Sequence, residues 1–301
     1  MSQPATEAWA ALEHTALRRR WGRLQVLEGA GGRTKATLWT LVHILWALGD
    51  LRWLGIAPPE YQPIVNYVDR YRRGGGFAAR PRRWRRFFDD NAWLGLAALH
   101  VDRPDLATRA LAFVQRGEDA AGGILWVEGD TMRNTCSTAS AAWLALELGD
   151  GPFAVRAMDW LDAELRTPEG LYMDNIHHGQ KEPTIWSYNQ GAPVAALAML
   201  GRTDAAMTTA EVSIALFTGE RLWREPPPFL AIWFRALLRD PRTADRATRL
   251  LIEHTDRLLD ESKDAATGLF TAGDIGSYNG TTTIDQAATV QLLAMRALAT
   301  A

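Results

Sequence analysis

Two kinds of helical pattern alternate along the chain. One kind is amphipathic: in the segment 151–166, Val155, Met158 and Leu161 recur at helical spacing while acids and Arg156 face away. The other kind is rich in Ala, Leu, Gly and Trp and has few charges, which predicts helices buried on most sides. The amphipathic segments cover 5–26, 61–73, 104–117, 151–166, 204–219 and 242–261. The apolar segments cover 36–54, 89–101, 136–148, 188–200, 228–239 and 283–299.

The apolar segments recur at intervals of about 40 to 55 residues, which indicates a structural repeat. Four of them follow a glycine-plus-aromatic connection (G-G-G-F, G-G-I-L-W, G-L-Y and G-L-F), and this composition predicts a short hairpin ahead of the buried helix. An open solenoid of helix pairs would need a polar terminal repeat, whereas 283–299 is as apolar as the middle segments. We therefore predict a closed all-α ring of six inner and six outer helices, an (α/α)6 barrel in which residues 1–301 form a single domain.

Composition and charge narrow the class of protein further. The 301 residues are 47% hydrophobic, enough for a large core, and the net charge of −2 argues against nucleic acid as the main partner. Cys136 is the only cysteine, so it cannot form an internal disulfide, and we expect a small buried thiol. The first residues do not resemble a signal peptide, and the apolar run 38–48 is too short to span a bilayer. We expect a cytoplasmic monomer without a membrane span or a cofactor.

Polar residues gather at the predicted starts of the inner helices. In a closed ring these starts meet at one end of the barrel, where helix N-termini supply oriented donors. The residues are Asp89, Asp90, Asn91, Asn134, Ser137, Tyr188, Asn189, Gln190, Asp285 and Gln286. Helix capping explains Asp, Asn and Ser at such positions, but it does not explain Tyr and Gln. Acids, amides and aromatic side chains together are typical of sites that recognise sugar hydroxyls, and the 13 Trp of the chain agree with this interpretation.

The adjacent carboxylates Asp89 and Asp90 have two interpretations. An Asp at the start of a helical run is a preferred N-cap, which accepts backbone N–H groups that lack a partner. A carboxylate pair among aromatic residues is also the arrangement that divides acid and nucleophile roles in glycoside hydrolysis. This segment by itself leaves both interpretations open.

Three motifs resemble glycoside hydrolase family 76, the family of the α-1,6-mannanases. The segment F-F-D-D-N-A-W-L-G-L-A-A-L at 87–99 resembles the family's aspartate pair. The segment R-N-T-C-S-T-A at 133–139 is similar to its K-N-x-x-S/T-N-G motif, and S-Y-N-Q-G at 187–191 resembles T-Y-N-Q-G. The order and spacing agree from about residue 38 to the C-terminus. The resemblance implies an (α/α)6 barrel and a retaining hydrolase acting on α-mannosides, most simply α-1,6-linked manno-oligosaccharides or mannan.

The resemblance also implies roles for particular residues. Asp89 would be the nucleophile and Asp90 the general acid/base, and neighbouring carboxyls on one helical turn can reach the separation of about 5–5.5 Å that retention needs. The implied sugar-binding residues are Asn91, Asn134, Tyr188, Asn189 and Gln190, with Trp93 or Trp126 as a stacking wall. The motif at 133–139 departs from the family pattern at Thr138 and Ala139, which predicts a change in the sugar bound there.

Other classes of protein remain as alternatives to a hydrolase. A transglycosylase or a non-catalytic glycan-binding protein fits the same motifs. A sugar epimerase or an unsaturated uronyl hydrolase shares the toroid, but such epimerases use several cavity histidines. Of the six histidines here, only His43 and the loop pair His177 and His178 lie near the start of an inner segment. A terpene cyclase would need an aspartate where Phe87 stands.

Charged residues near the predicted cleft suggest further contacts. The run Arg80–Arg86 contains five arginines and predicts a solvated basic loop, or a clamp for an oligosaccharide or glycoconjugate that has an anionic group. His177 and His178 predict a contact at the rim rather than a metal site, because adjacent histidines do not easily bind one ion. Asp274 and Asp285 are candidates for lining the cavity or capping a helix.

Overall fold

Six helices form the inner ring that the sequence predicts. The computed structural model describes residues 2–271 and 282–301. Its helices are α1 (Gln3–Ala16), α2 (Leu38–Trp53), α3 (Tyr61–Tyr67), α4 (Phe88–His100), α5 (Pro104–Val114), α6 (Thr135–Glu147), α7 (Gly151–Glu164), α8 (Tyr188–Met199), α9 (Thr203–Leu216), α10 (Gly219–Trp223), α11 (Pro227–Leu237), α12 (Pro241–Arg257) and α13 (Thr283–Ala299). Short 3-10 turns follow α3 and α5, at Val68–Tyr71 and Gln115–Gly117, and a π turn, Leu258–Ser262, follows α12.

The inner ring closes on itself. Helices α2, α4, α6, α8, α11 and α13 each pack against the next, and α13 packs against α2. Helices α1, α3, α5, α7, α9 and α12 form the outer layer. Almost every inner-helix side chain is buried, including Trp46, Trp93, Trp143 and Trp233, which is why these segments have so few charges. The (α/α)6 barrel is confirmed, and no helix among the described residues is long and apolar enough to cross a membrane.

Short strands lie at the end of the barrel where the inner helices begin. They are β1 (Leu17–Arg20), β2 (Arg23–Val26), β3 (Arg72–Arg73), β4 (Gly76–Phe77), β5 (Arg133–Asn134), β6 (Asn175–His177) and β7 (Gln180–Glu182). The pairs β1–β2, β3–β4, β5–β6 and β6–β7 are antiparallel. The predicted hairpins are confirmed before α4 and α8, while the connection before α6 is closed by isolated bridges such as Leu125 to Arg133.

The first outer segment differs from its prediction. A helix over 5–26 was expected, but α1 ends at Ala16 and the chain turns into the β1–β2 hairpin. Trp21 and Gly22 form the turn with φ angles of 52° and 70°, in the left-handed region that a helix interior excludes. The hairpin brings the residues after β2 over the start of α2, and this places Glu28 at the end of the barrel where the inner helices begin.

Candidate active site

The starts of the inner helices surround a cleft of about 610 Å³. Its lining residues come from the loops and first turns of all six inner helices and from the segment after β2. They are Glu28, Thr37, Trp39, Thr40, Ala79, Phe87, Asp89, Asp90, Trp93, Trp126, Met132, Asn134, Cys136, Asp174, Asn175, Tyr188, Phe229 and Ile284. The expectation that helix starts converge on one end of the barrel is met by this lining.

Asp89 and Asp90 lie inside the first turn of α4 and are not its N-cap. Phe87 occupies the cap position, and its backbone joins that of Val127 in a bridge. The Asp89 carboxylate accepts three hydrogen bonds. Oδ1 accepts from the backbone N–H of Asp90 at 2.8 Å, and Oδ2 accepts from Trp126 Nε1 at 3.0 Å and from Cys136 Sγ at 3.4 Å. The position at the N-terminus of the helix also favours negative charge.

Asp90 has very different surroundings. Within the described part of the chain, no side chain or backbone group donates a hydrogen bond to its carboxylate at normal distances. Burial raises its pKa well above the ordinary value, and the nearby charges of Asp89 and Glu28 raise it further. Burial also raises the pKa of Asp89, to about 6, against the lowering effect of its three hydrogen bonds. The pair is therefore asymmetric, and Asp90 keeps its proton to higher pH.

Aromatic side chains form the walls of the cleft. Tyr188 stacks on Phe229 with ring centroids 4.0 Å apart and an angle of 22° between the planes. Trp126 packs against Phe87 while its indole N–H points to Asp89. Trp93 is 1% exposed and packs on Trp46, so little of its ring is open to a ligand. Of the two predicted stacking residues, Trp126 is the one whose ring is available to a ligand.

Asn134 and Asn189 reach the cleft in different ways. Asn134 lines it directly, and its Oδ1 caps α6 by accepting from the Ser137 N–H at 3.2 Å. Asn189 is fully buried behind the lining, where its Nδ2 donates to Oδ1 of Asp174 at 2.9 Å. Asn175 donates to the other oxygen of Asp174 at 2.9 Å. Asn189 thus orients a carboxylate that lines the cleft.

Asn91 and Gln190 do not face the cleft, which corrects their predicted role in sugar binding. Both are fully buried. The Asn91 amide accepts from the Phe77 N–H at 2.8 Å and donates to the Phe77 and Phe87 carbonyls at 2.9 and 2.7 Å. Gln190 binds the N–H and C=O of Tyr172 in the same way, at 2.8 and 2.9 Å. Each amide clamps the preceding connection to its inner helix.

The same clamp recurs at two other inner helices. Gln286 of α13 binds the N–H and C=O of Phe270. In α6 the equivalent position is Thr138, whose hydroxyl accepts from the Ile124 N–H at 3.0 Å. Thr138 and Ala139 are fully buried and do not line the cleft, so the departure from the family motif alters a structural contact. The expectation that it changes the bound sugar is not supported by this position.

No arginine, lysine or histidine of the described residues lines the cleft. The predicted arginine clamp is therefore not in place. Arg86 binds Glu128 with two hydrogen bonds of 2.6 and 2.7 Å, and Arg85 lies over the ring of Phe87. Arg80 lies 3.8 Å from the Glu28 carboxylate and does not line the cleft. Glu28, Asp89, Asp90 and Asp174 together make the cleft anionic, which disfavours an anionic substrate.

The remaining predicted residues lie outside the cleft lining. His177 contacts Asp130 at 3.6 Å on the β6 side, and His43 is buried against Gln291, where burial lowers its pKa to about 3. Asp285 accepts a hydrogen bond from Thr282, the N-cap of α13. Asp274 lies outside the described residues.

Sequence reasoning missed several residues of the cleft, among them Glu28, Trp39, Asp174 and Phe229. Glu28 follows an unpredicted hairpin, and its carboxylate is held by the Thr37 N–H at 2.6 Å and the Thr40 hydroxyl at 3.0 Å. Trp39 and Phe229 lie in the first turns of α2 and α11. They were missed because only some of the residues at the inner-helix starts were candidates. Asp174 had no helical signal, because it precedes strand β6.

A second cavity of about 720 Å³ lies at the opposite end of the barrel, where the inner helices finish. We call it the base cavity. Its deepest carboxylate, Asp50, accepts from Arg235 at 2.9 and 2.6 Å and is 2.8 Å from His100 Nε2. Glu147 is paired with Arg239 at 2.8 Å. The buried Asp50 and the half-buried Glu147 are thus each paired with an arginine.

Comparison with known proteins places the chain among the glycoside hydrolases. The model of glycosyl hydrolase family 76 matches residues 52–205, just over half of the chain. The chain belongs to this family. No protein with a curated description matches the chain.

Solved structures of the same family share the fold over the whole chain. A family 76 α-mannanase from Bacteroides thetaiotaomicron is 16% identical with a TM-score of 0.82, over 98% of this chain and 94% of that one. The α-1,6-mannanase GH76A from Salegentibacter sp. HEL1_6 is 20% identical with a TM-score of 0.79, over 99% of both chains. Its inactive variant with two aspartates replaced by asparagine, in complex with α-1,6-mannotriose, is 18% identical with a TM-score of 0.78, again over 99% of both chains.

Proposed function

We propose that the protein is a retaining glycosidase that hydrolyses α-mannosides, with α-1,6-linked manno-oligosaccharides as the substrate. The observation that carries the proposal is the asymmetric pair Asp89 and Asp90 in a cleft that has aromatic walls and no cation among its described lining residues. Family membership supports the reaction class. The mannotriose bound to the inactive Salegentibacter enzyme supports the choice of sugar.

The surroundings of the two carboxyls assign a role to each. Asp89 accepts three hydrogen bonds that stabilise its charged form, so it is the nucleophile that attacks the anomeric carbon. Asp90 has the higher pKa and holds a proton, which it gives to the leaving glycosidic oxygen. After the leaving sugar departs, the ionised Asp90 takes a proton from water, and that water releases the product from Asp89.

Other lining residues bind the sugar. Asp174 presents a carboxylate whose oxygens are oriented by Asn175 and Asn189, and Asn134 adds an amide. The stacked pair Tyr188 and Phe229 and the ring of Trp126 offer flat surfaces for the apolar faces of pyranose rings. A neutral hydroxylated ligand fits this lining better than an anion does.

The test is turnover of α-1,6-manno-oligosaccharides, with NMR of the first product. Retention predicts that the first product has the α configuration at its anomeric carbon, before mutarotation mixes the anomers. With an activated aryl α-mannoside, Asp90→Ala should be rescued by azide to give the α-mannosyl azide, and Asp89→Gly should give the β-azide. Asp285→Asn is the matched control, because Asp285 occupies the same first-turn position in α13 that Asp90 has in α4.

The outcomes separate the alternatives. If both Asp89→Asn and Asp90→Asn keep wild-type turnover, the pair is structural and the proposal is wrong. Binding of mannotriose without turnover by the wild type would indicate a glycan-binding protein. Longer oligosaccharides among the products would indicate transfer in place of hydrolysis.

A further inference from the structure

The thiol of Cys136 contacts the carboxylate that we assign as nucleophile. Cys136 is the second residue of α6, is 3% exposed, and lines the cleft from the inner helix next to α4. Its Sγ lies 3.4 Å from Asp89 Oδ2, within the range for a hydrogen bond to sulfur. The two residues are 47 positions apart in the chain, and the packing of α6 against α4 brings them together.

The thiol acts as a donor in this contact. Burial raises the pKa of Cys136 well above its ordinary value, and the negative charges of Asp89 and Asp174 raise it further. The sulfur therefore keeps its hydrogen across the working range of a glycosidase. A thiol with a raised pKa is a poor nucleophile, which leaves hydrogen bonding as its chemical role.

The two side-chain donors that reach Asp89 from other parts of the chain converge on a single oxygen. Asp89 Oδ2 accepts from Cys136 Sγ and from Trp126 Nε1 at 3.0 Å, while the carboxylate of Asp90 accepts none from the described residues. The ionisable groups around Asp89, on α4, α6, α8 and the loops, are all acidic or neutral. They are Asp90, Cys136, Tyr188, Asp174 and Glu28. Among the described residues no cation offsets the charge of Asp89, so these donors stabilise its charged form together with the backbone N–H of Asp90.

We propose that Cys136 is a positioning residue, which together with the Trp126 indole holds Asp89 Oδ2 and keeps Asp89 the ionised member of the pair. This inference rests on the proposed function, since it explains how two adjacent aspartates take different roles. A donor on one carboxylate and not on the other breaks their equivalence, because hydrogen bonds to the charged form favour that form.

The experiment compares Cys136→Ala, Cys136→Ser and Trp126→Phe by the pH dependence of kcat/KM with an aryl α-mannoside. Loss of the thiol should move the acidic limb upward by about half a pH unit, and loss of the stronger indole donor by about one unit. The serine hydroxyl is a better donor on a shorter bond, so Cys136→Ser should lie between wild type and Cys136→Ala. At a pH below the limb, Cys136→Ala should lose about threefold in kcat/KM, which is half a pH unit expressed as a rate ratio.

Ser140→Ala is the matched control. Ser140 is fully buried one turn further along α6, and its hydroxyl bonds to the backbone carbonyl of Cys136 at 2.5 Å without reaching the cleft. Its replacement should leave the acidic limb unchanged. An equal shift in Ser140→Ala and Cys136→Ala would overturn the proposal, because the effect would then be a general loosening of α6.

A second readout separates this inference from the proposed function. Infrared titration of the carboxyl band that disappears in Asp89→Asn reports the pKa of Asp89 without any turnover. A wild-type protein that shows no mannosidase activity would refute the proposed function, while the titration would still test the thiol. An Asp89 pKa that is the same in folded Cys136→Ala and in wild type would overturn the role of Cys136.

Discussion

The two ends of the barrel have cavities of similar size, but the cavities differ in whether their carboxylates are paired with cations. The cleft at the helix starts measures about 610 Å³ and the base cavity about 720 Å³. In the base cavity Asp50 is held by Arg235 and His100, whereas the described lining of the cleft provides no cation for Asp89 and Asp90. Burial alone would raise the pKa of Asp50, but Arg235 and His100 outweigh it and lower that pKa.

This difference shows that charge compensation, rather than volume, distinguishes the cleft from the base cavity. A buried carboxylate matched by an arginine is fixed in its ionised form and cannot exchange protons near neutral pH. An unmatched pair must share protons unequally, which is what acid and nucleophile roles require. The helix dipole works in the same direction, since inner-helix C-termini at the base favour cations such as Arg235.

The largest expected effect comes from removing both charges of the cleft pair. The double variant Asp89→Asn/Asp90→Asn should lose at least about 10³-fold in kcat/KM on α-1,6-manno-oligosaccharides. Its Tm should stay equal or rise, because a buried carboxylate charge that no cation in the described lining matches no longer opposes folding. Calorimetry beside the activity assay checks both; a clear fall in Tm would show that the cleft pair is stabilising like Asp50.

The base cavity should respond in the opposite way. Asp50→Asn leaves the buried Arg235 guanidinium without its anion, and the free energy of unfolding should fall by about 3 kcal/mol. Turnover per folded molecule should stay within about twofold of wild type. Asp245→Asn is the control, since Asp245 lines the same cavity but is exposed, and denaturant unfolding should show little change. A loss of turnover in folded Asp50→Asn would contradict the division between the two ends.

Variants of the amide clamps test whether every polar residue at the cleft end of the barrel takes part in the function. Gln190→Leu leaves the Tyr172 N–H and C=O without partners, so the free energy of unfolding should fall by about 2 kcal/mol. Because Gln190 does not line the cleft, kcat/KM of the folded variant should fall less than tenfold. The exposed Gln180→Leu serves for comparison. Loss of activity without loss of stability would restore Gln190 as a sugar-binding residue.

The smallest expected effect is on the pH dependence of stability, to which Asp89 of the cleft and Asp50 of the base cavity should contribute in opposite directions. The pKa of Asp89 is raised from 3.8 to about 6, so the folded protein binds more protons than the unfolded chain in that window. Stability therefore falls as pH rises from about 4 to 6, by about 1 kcal/mol for a carboxylate partly open to solvent. Asp50 has a lowered pKa and acts in reverse: its contribution is lost as pH falls below about 4.

Thermal unfolding from pH 3 to 7 measures these slopes. Asp89→Asn should flatten the decline between pH 4 and 6, and Asp50→Asn should flatten the loss on the acid side. If the Asp89→Asn profile matches that of wild type, the carboxyl has an ordinary pKa in the folded protein.

The fold could be predicted from the sequence almost completely, and the site only in part. Alternating amphipathic and apolar segments identified the six inner helices within a few residues, because burial on all sides leaves a local signal in every turn. The β1–β2 hairpin was missed, since the helical spacing of apolar residues continues past Ala16 into the strands. With it the prediction lost Glu28, which reaches the cleft through that hairpin.

The sequence by itself determined which residues stand at the inner-helix starts, because periodicity and motif order are properties of neighbours along the chain. Only the tertiary structure decided which of them face the ligand. Asp90 and Asn91 are adjacent, yet a rotation of about 100° per residue turns one into the cleft and the other into a backbone clamp. The partners that give each aspartate its pKa are distant in the chain: Cys136 for Asp89, and Arg235 for Asp50 across 185 residues. Such pairs exist only when the helices pack into the barrel, so the chemistry of the pair is a property of the tertiary structure.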